Sequence, residues 1–305
     1  RNLNVDKVII VLGPTGVGKS ELAIEIAKRL STEIISADAF QVYRQLNIGT
    51  AKVPNNKAQG IVQNLIDIKN IDEEYSVRDY QLDGRKEVTR IINNKKIPVV
   101  AGGTGLYLKA LTYDYIFNEV KENIGDYSSF SNEELYLKLL KLDSKAGESI
   151  HPNNRKRVIR ALTIANSGLT KSEGEALQKH EPVYDLFIIG CTMDRKKLYK
   201  VVDQRVEKMI ALGLENEVYT LTREYPNFFE LRATQGIGYK EWKEYFSGTK
   251  NRDETITLIK HNTHQLIKRQ YTWFKHQFAQ NWYDITDLQQ RGKVINDILE
   301  WSKDE

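Results

Sequence analysis

The sequence contains a single cysteine and no long apolar segment, and each of these absences excludes a class of protein. Cys191 cannot form a disulfide within its own chain, which fits a reducing compartment and excludes a metal site built from several thiolates. No apolar run approaches the roughly 18 residues that cross a membrane. Nothing at the start of the sequence is typical of a signal peptide. We therefore expect a cytoplasmic protein without a membrane partner.

The sequence also lacks internal repeats, low-complexity tracts and a large excess of either charge. Its 305 residues, 40% of them hydrophobic, suffice for one large domain or two smaller ones. The net charge is only +4, but residues 151–280 hold 22 Lys and Arg against 15 Asp and Glu, so the remainder carries about −3. A basic second half is compatible with nucleic-acid binding and also with solvated helical faces.

Short apolar runs alternate with helical patterns in the first third of the sequence. Lys7–Leu12, Glu33–Ser36 and Ile97–Ala101 have the length and composition of buried strands, whereas Lys19–Leu30 and Tyr80–Asn93 have helical periodicity. This alternation predicts a parallel sheet covered by helices, with ligands bound beyond the carboxyl ends of the strands. Further helices are expected at 133–142, 155–166, 195–212 and 254–279, and a further strand at 186–190.

One motif has a specific chemical meaning. The segment GPTGVGKS matches the pattern G-x-x-x-x-G-K-[ST] and lies between a predicted strand and a predicted helix. In such a loop the backbone amides surround phosphate oxygens, Lys19 offsets phosphate charge and Ser20 can ligate Mg²⁺. The motif predicts a polyphosphate site but leaves the identity of the polyphosphate open. The predicted phosphate contacts are Gly13, Thr15, Gly16, Val17, Gly18, Lys19 and Ser20.

Nucleotide hydrolysis or small-molecule phosphorylation is the usual function of such a loop. Proteins with those functions usually carry an acidic residue at the end of another apolar strand. Here Ile97–Ala101 is followed by GGTGLY, which contains no carboxylate. Asp38, after the second predicted strand, is the candidate acid, and its position suits a residue that faces an acceptor across the crevice. A small-molecule kinase is nevertheless an alternative that the motif allows.

Six separated segments of the sequence, read in order, carry a resemblance to a known family. They are Gly13–Ser20, Ser36–Lys52 (SADAFQVYR followed by NIGTAK), Gly102–Tyr107 (GGTGLY), His151–Leu162 (HPNNRKRVIRAL), Gln235–Glu241 (QGIGYKE) and Lys268–Phe274 (KRQYTWF). This series resembles the bacterial tRNA dimethylallyltransferases, also called tRNA isopentenyltransferases. The resemblance implies Mg²⁺-dependent transfer of a dimethylallyl group from dimethylallyl pyrophosphate to N6 of the adenosine 3′-adjacent to the tRNA anticodon, with release of pyrophosphate.

The resemblance also implies roles for single residues. Asp38 matches the family's general base, which takes a proton from the weakly nucleophilic N6 as the new bond forms. Thr104 matches a hydroxyl near the bridging oxygen of the leaving group, and Lys19 would stabilise the charge that develops there. The predicted catalytic residues are therefore Asp38, Thr104 and Lys19, with Ser20 as the predicted metal ligand.

The tRNA anticodon stem-loop is the implied partner, because an adenine must leave its stack to reach Asp38. Gln41 has a side chain suited to an adenine edge, and two basic stretches with nearby aromatic residues would contact phosphates and bases. A charged surface over core aromatics would give a similar pattern. The predicted tRNA contacts are Asp38, Ala39, Phe40, Gln41, Tyr43, Lys156, Arg157, Arg160, Gln235, Gly236, Tyr239, Lys240, Lys268, Arg269, Gln270, Trp273 and Lys275.

We predict an α/β fold with a P-loop NTPase-like parallel sheet core and a smaller helical insertion domain. The predicted core comprises 1–114 and 184–305, with RNA-contacting helices at its C-terminal end, and the predicted tRNA-binding insertion comprises 115–183. The protein is expected to be a monomer. Ala39 stands where the family usually has serine. A tRNA-binding relative with impaired catalysis is therefore a further alternative.

Overall fold

A parallel β-sheet is the main element of the compact unit formed by residues 1–112 and 182–305. The computed structural model describes residues 5–115, 127–166, 181–278 and 280–304, and within them six strands pair in the order β3-β2-β4-β1-β5-β6. The strands are β1 (Lys7–Leu12), β2 (Ile34–Ser36), β3 (Gln63–Asn64), β4 (Val99–Gly102), β5 (Asp185–Thr192) and β6 (Asn281–Asp284). The predicted α/β class with a parallel sheet is confirmed.

Strand β1 forms the middle of the sheet because its apolar side chains are buried on both faces. Residues 8–12 have no exposed surface, as expected for a central strand of a parallel sheet. Leu12 pairs with Gly102 on β4 and with Gly190 on β5. Strands β1 and β4 therefore end at the same level, and β5 continues two residues further, to Thr192. The loops that follow these parallel strands open at one edge of the sheet, where ligands of such folds bind.

Helices alternate with the strands along the chain. Their starts follow capping rules: Ser76 before α2 and Ser131 before α4 each form a capping box. Within the described ranges, no helix combines the length and apolar character that a membrane span requires. The helices are α1 (Lys19–Arg29), α2 (Val77–Asn93), α3 (Gly105–Thr112), α4 (Asn132–Leu142), α5 (Ser144–Glu148), α6 (Arg155–Asn166), α7 (Arg195–Ala211), α8 (Leu214–Glu224), α9 (Trp242–Phe246), α10 (Arg252–Gln277) and α11 (Leu288–Lys303).

The chain forms two compact units. One comprises Arg1–Thr112 and Pro182–Glu305, and the other comprises Tyr113–Glu181. The first unit contains the sheet. The second has an apolar core of its own, in which Leu135 and Leu139 of α4 pack with Val158 and Leu162 of α6.

Candidate active site

The phosphate loop, Gly13–Ser20, connects β1 to α1 at the carboxyl edge of the sheet. Gly18 has a φ of 94°, in the left-handed region that favours glycine, and it immediately precedes α1. An added Cβ at Gly13 (φ 153°) would lie 2.5 Å from the carbonyl oxygen of Cys191 on β5. Glycine at these two positions therefore allows the loop to fold closely over the strand ends, as a phosphate-binding loop requires.

Lys19, the first residue of α1, is a half-buried cation of this loop. Its Nζ donates a hydrogen bond of 2.7 Å to the carbonyl oxygen of Pro14. Burial is the main reason that its pKa is lowered to about 8, and the guanidinium of Arg205 acts in the same direction, whereas the carboxylate of Asp38 opposes it. An ammonium near a second cation favours the binding of an anion, whose charge would raise this pKa again.

Arg205 is a site residue that the sequence analysis missed. It lies on α7, is half-buried, and its Nη1 donates to the hydroxyl oxygen of Thr15 at 3.4 Å. Burial lowers its pKa, and the carboxylate of Asp38 acts in the opposite direction. The phosphate loop therefore has a second cation, contributed by a helix that lies 190 residues further along the chain.

A signal for Arg205 is present in the sequence. Leu198 and Val202 are buried residues of α7, and Arg205 follows at the spacing that continues the same helical face. A charged residue at a position where the pattern predicts burial is costly unless it has a partner or a ligand. An arginine in the apolar stripe of a predicted helix could therefore have been selected as a candidate ligand residue.

Asp38 lies in the loop after β2, with one carboxylate oxygen bound to the backbone. Its Oδ1 accepts hydrogen bonds from the amides of Phe40 at 2.8 Å and Gln41 at 3.0 Å. The other oxygen, Oδ2, has no hydrogen-bond partner in the described part of the chain. Asp38 also lines the cavity described below. The carboxylate is thus oriented by its own turn and retains an oxygen that can accept a proton.

Thr104 ties the loop after β4 to the loop that carries Asp38. Its Oγ1 accepts a hydrogen bond of 3.0 Å from the amide of Ala39, and its own amide donates to the carbonyl oxygen of Ala37 at 3.1 Å. Because the hydroxyl acts as an acceptor toward Ala39, its hydrogen is available to a bound group. The predicted base and the predicted leaving-group hydroxyl are therefore held in one arrangement.

The predicted adenine-reading residue, Gln41, is held by the protein. Its Nε2 donates to the carbonyl oxygen of Thr50 at 2.9 Å. Thr50 follows a segment that is fixed by Tyr239, whose hydroxyl accepts from the amide of Gly49 at 3.0 Å and donates to Oε2 of Glu217 at 2.7 Å. Glu217 also accepts from backbone amides of this segment. It is a second residue that the sequence analysis did not select.

Tyr43 and Tyr239 were both predicted to contact tRNA, and both are buried. They are 4% and 1% exposed, and desolvation raises the pKa of each phenol. Burial favours a role in holding these loops. The predicted RNA contact of the two tyrosines stays a prediction.

The segment Gln235–Lys240 packs beside the Asp38 loop. An added Cβ at Gly236 would lie 2.9 Å from Cε1 of Phe40, so the segment and this ring are in close contact. Glu241 anchors the segment, because it accepts from the amide of Gly238 and from Nδ2 of Asn262 on α10, each at 2.8 Å. Lys240 is exposed and lines the cavity.

Helix α10 presents its predicted RNA contacts in two directions. Lys268, Arg269 and Lys275 are exposed, and Arg269 lines the cavity. Gln270 instead makes hydrogen bonds to both loops that follow β1 and β4, and the ring of Trp273 packs against Gly105.

The predicted RNA contacts of the insertion lie on α6. Lys156, Arg157 and Arg160 are exposed. Arg155 has a different role, since its guanidinium donates to the carbonyl oxygens of Tyr127 at 2.6 Å and of Phe130 at 2.8 Å. Arg155 thus holds the segment just before α4, while the three exposed basic residues of α6 are candidates for contact with a polyanion.

These elements of the sheet-containing unit enclose a cavity of about 870 Å³. Lys19, Asp38, Thr104 and Arg205 all line it, which brings the predicted catalytic residues into one space. Gly13 and Val17 are buried and do not line it, and neither do Tyr43, Lys268, Trp273 and Lys275. Other lining residues are Thr15, Gly16, Gly18, Ser20, Ala39, Phe40, Gln41, Gln235, Gly236, Tyr239, Lys240, Arg269, Gln270 and the apolar Val201, Met209, Ile237 and Leu266.

Several known proteins are similar to this chain in sequence and in fold. The family model described as IPP transferase matches residues 41–277. A tRNA dimethylallyltransferase of Anoxybacillus flavithermus is 41% identical over 300 residues, which cover 97% of this chain and 96% of the relative. The crystal structure of a full-length tRNA isopentenylpyrophosphate transferase from Bacillus halodurans is 34% identical, with a TM-score of 0.74 and coverage of 98% and 97%.

A further solved structure, of a eukaryotic dimethylallyltransferase acting on tRNA, has a TM-score of 0.86 at 28% identity, and the match covers 97% of this chain and 80% of that chain. The parallel sheet with its phosphate loop is accordingly a P-loop NTPase-like core, as predicted. The family model's match includes the Thr104 loop and α10, and the similarity to the listed relatives extends over nearly the whole chain. This chain belongs to the IPP transferase family.

Proposed function

We propose that this protein is a tRNA dimethylallyltransferase, which transfers a dimethylallyl group from dimethylallyl pyrophosphate to N6 of the adenosine 3′-adjacent to the anticodon and releases pyrophosphate. The observation that carries the proposal is the shared cavity, in which a phosphate loop with two cations faces a carboxylate. The names of the relatives support the same reaction. The enzyme is proposed to act as a cytoplasmic monomer, since one chain supplies all of these groups.

The donor's pyrophosphate occupies the phosphate-loop side of the cavity. Loop amides, the Lys19 ammonium and the Arg205 guanidinium bind it, and Arg205 lies close enough to lower the pKa of Lys19. Negative charge grows on the leaving pyrophosphate as its bond to the allylic carbon lengthens. Fixed cations therefore stabilise the transition state more than the ground state. The apolar side chains of Val201, Met209 and Leu266 offer a surface for the prenyl group.

Ser20 is the residue that would hold a Mg²⁺ ion. It lies exposed at the start of α1, lines the cavity, and its hydroxyl has no hydrogen-bond partner in the described ranges. One hydroxyl fits a magnesium site, because Mg²⁺ commonly takes one or two protein oxygens and fills its octahedron with substrate phosphate and water. When bound, the ion would neutralise charge on the leaving pyrophosphate.

The transfer requires one bond to form and one to break. The lone pair of N6 attacks C1 of the dimethylallyl group as the bond from C1 to the pyrophosphate oxygen breaks. Thr104 donates its hydroxyl hydrogen as a hydrogen bond to that oxygen. Oδ2 of Asp38 takes the proton from N6, which gives a neutral secondary amine and free pyrophosphate.

The adenine enters the cavity from a nucleotide that has left the anticodon loop stack. Gln41 and the Asp38 turn line this cavity and would contact the base edge, and Lys240 and Arg269 supply positive charge at the same cavity. Exposed Lys156, Arg157 and Arg160 of the insertion would bind RNA phosphates. Phosphate contacts position the RNA and the cavity selects the base.

The test is transfer of radiolabelled dimethylallyl pyrophosphate to unmodified tRNA by the full chain. Asp38→Asn is the sharpest variant, because an asparagine Oδ1 can still accept from the amides of Phe40 and Gln41 but its side chain cannot take a proton. We expect label in tRNA with the wild-type protein and a loss of about 10²–10⁴-fold in kcat with the variant. A tRNA with guanosine in place of the target adenosine is the matched substrate control.

The outcomes separate the candidate functions. Absence of label with wild-type protein that still binds tRNA would indicate impaired catalysis, and absence of both would favour a small-molecule kinase. A variant as active as the wild type would exclude Asp38 as the base.

A further inference from the structure

Helix α10 joins the two loops of the proposed donor site through one side chain. Oε1 of Gln270 accepts from the backbone amide of Thr15 at 3.1 Å, and its Nε2 donates to the carbonyl oxygen of Gly103 at 3.1 Å. Thr15 belongs to the phosphate loop after β1, and Gly103 belongs to the loop after β4. The carboxamide thus bridges two loops that follow neighbouring parallel strands.

The bridge lies next to the groups that are proposed to act on pyrophosphate. An added Cβ at Gly103 would lie 2.7 Å from Nε2 of Gln270, 3.5 Å from the carbonyl oxygen of Gly13 and 3.7 Å from Nζ of Lys19. The next residue after Gly103 is Thr104. The separation between the two loops therefore sets the separation between the Lys19 ammonium and the Thr104 hydroxyl.

A second residue of α10 fixes the same loop one turn later. An added Cβ at Gly105 would lie only 2.2 Å from Cε3 of Trp273, so this ring lies directly against the backbone at the start of α3. Residues at positions i and i+3 share a helix face, and Gln270 and Trp273 use that face to hold the loop. The exposed Lys268 and Arg269 are left to contact other molecules.

We propose that Gln270 is a positioning residue that sets the spacing between the phosphate loop and the Thr104 loop, and that it does not read RNA. The inference rests on the proposed function for its kinetic consequence. Both polar ends of the carboxamide are engaged within the protein, so an RNA contact would have to replace a bond to one of the loops. A misplacement of about 1 Å between reacting groups can reduce a rate about 100-fold.

The test uses Gln270→Met, which keeps the length of the side chain and removes both hydrogen bonds. We expect kcat/KM for dimethylallyl pyrophosphate at saturating tRNA to fall about 100-fold, and the Kd for tRNA without donor to change less than about twofold. Gln265→Met is the matched control, because Gln265 lies on the same helix and does not line the cavity; its kinetics should equal those of the wild type. Weaker tRNA binding with unchanged donor kinetics would overturn the proposal.

A second variant and a binding measurement test the same proposal in other ways. Gln270→Asn retains the carboxamide but is one methylene too short to reach both loops, so wild-type kinetics in this folded variant would overturn the bridge. Calorimetric binding of pyrophosphate with Mg²⁺ needs no catalysis. A loss of about tenfold in affinity in Gln270→Met would support the inference even if the wild type transferred no label, and unchanged affinity would count against it.

Discussion

The hydroxyl oxygen of Thr104 accepts a hydrogen bond of 3.0 Å from the backbone amide of Ala39, the residue that follows Asp38. The proposed leaving-group hydroxyl and the proposed base are therefore positioned by the same contact. In the proposed transfer, proton removal from N6 accompanies cleavage of the bond to pyrophosphate. The contact holds the Asp38 carboxylate and the Thr104 hydroxyl at a fixed separation while both events occur.

Thr104→Val should reduce transfer strongly, because valine has nearly the same shape and no hydroxyl. It would leave the Ala39 amide without its acceptor and remove a donor to the leaving oxygen, so we expect kcat to fall about 10²-fold. Thr104→Ser retains the hydroxyl and should stay within about threefold of the wild type. Single-turnover transfer to tRNA measures both, and equal rates for the valine and serine variants would contradict the role of the hydroxyl.

Ala39→Ser should change transfer by less than about threefold. Residue 39 acts on Thr104 through its backbone amide, which serine also has, and its half-buried side chain faces the cavity, where a hydroxyl can be hydrated. Steady-state kinetics with both substrates provide the measurement. A gain of more than tenfold would instead indicate that the wild-type site is impaired by the missing hydroxyl.

The pH dependence of donor capture should report the pKa of Lys19. Burial lowers this pKa to about 8 in the free protein, and the protonated ammonium is the form that binds pyrophosphate. We therefore expect kcat/KM for the donor to lose about tenfold per pH unit above about pH 8, since this ratio reports ionisations of the free enzyme. Below that pH Lys19 stays protonated and contributes no change.

Lys19→Arg is the control for this assignment. A guanidinium stays protonated across the accessible range, so the alkaline decline should disappear from the profile even if the overall rate is lower. If kcat/KM for the donor declined with the same midpoint pH in the arginine variant, a group other than Lys19 would be responsible for the decline.

The sequence predicted those parts of the site that are local in the chain. The phosphate loop is a contiguous motif, and its strand and helix have the predicted period, so β1 was placed at Lys7–Leu12 and α1 near Lys19. The short strand β3 and the edge strand β6 were not predicted. Neither has a distinctive pattern, since β3 is two residues long and β6 has a polar start.

Groups brought together over long distances in the chain were harder to predict. Arg205 and Gln270 reach Thr15 across 190 and 255 residues, respectively, and no local pattern encodes such a pairing. Trp273 was predicted to stack on RNA from its basic neighbours. The structure packs its ring against Gly105, because helical spacing turns residue 273 to the same face as Gln270, and its RNA contact stays a prediction.

The basic face of α6 should contribute salt-dependent affinity for tRNA. Lys156, Arg157 and Arg160 are exposed, so each that contacts a phosphate would release about one counterion on binding. Replacing any one of them by alanine should weaken tRNA binding and reduce the slope of log K against log salt by about 0.7–0.9, with the donor kinetics at saturating tRNA unchanged. Lys145→Ala, an exposed change of the same kind on α5, is the control. The measurement is filter binding between 50 and 200 mM salt, about the range over which such effects are large. An unchanged slope in all three variants would mean that α6 does not face the RNA. An equal effect of Lys145→Ala would mean that the attraction is a general property of this unit.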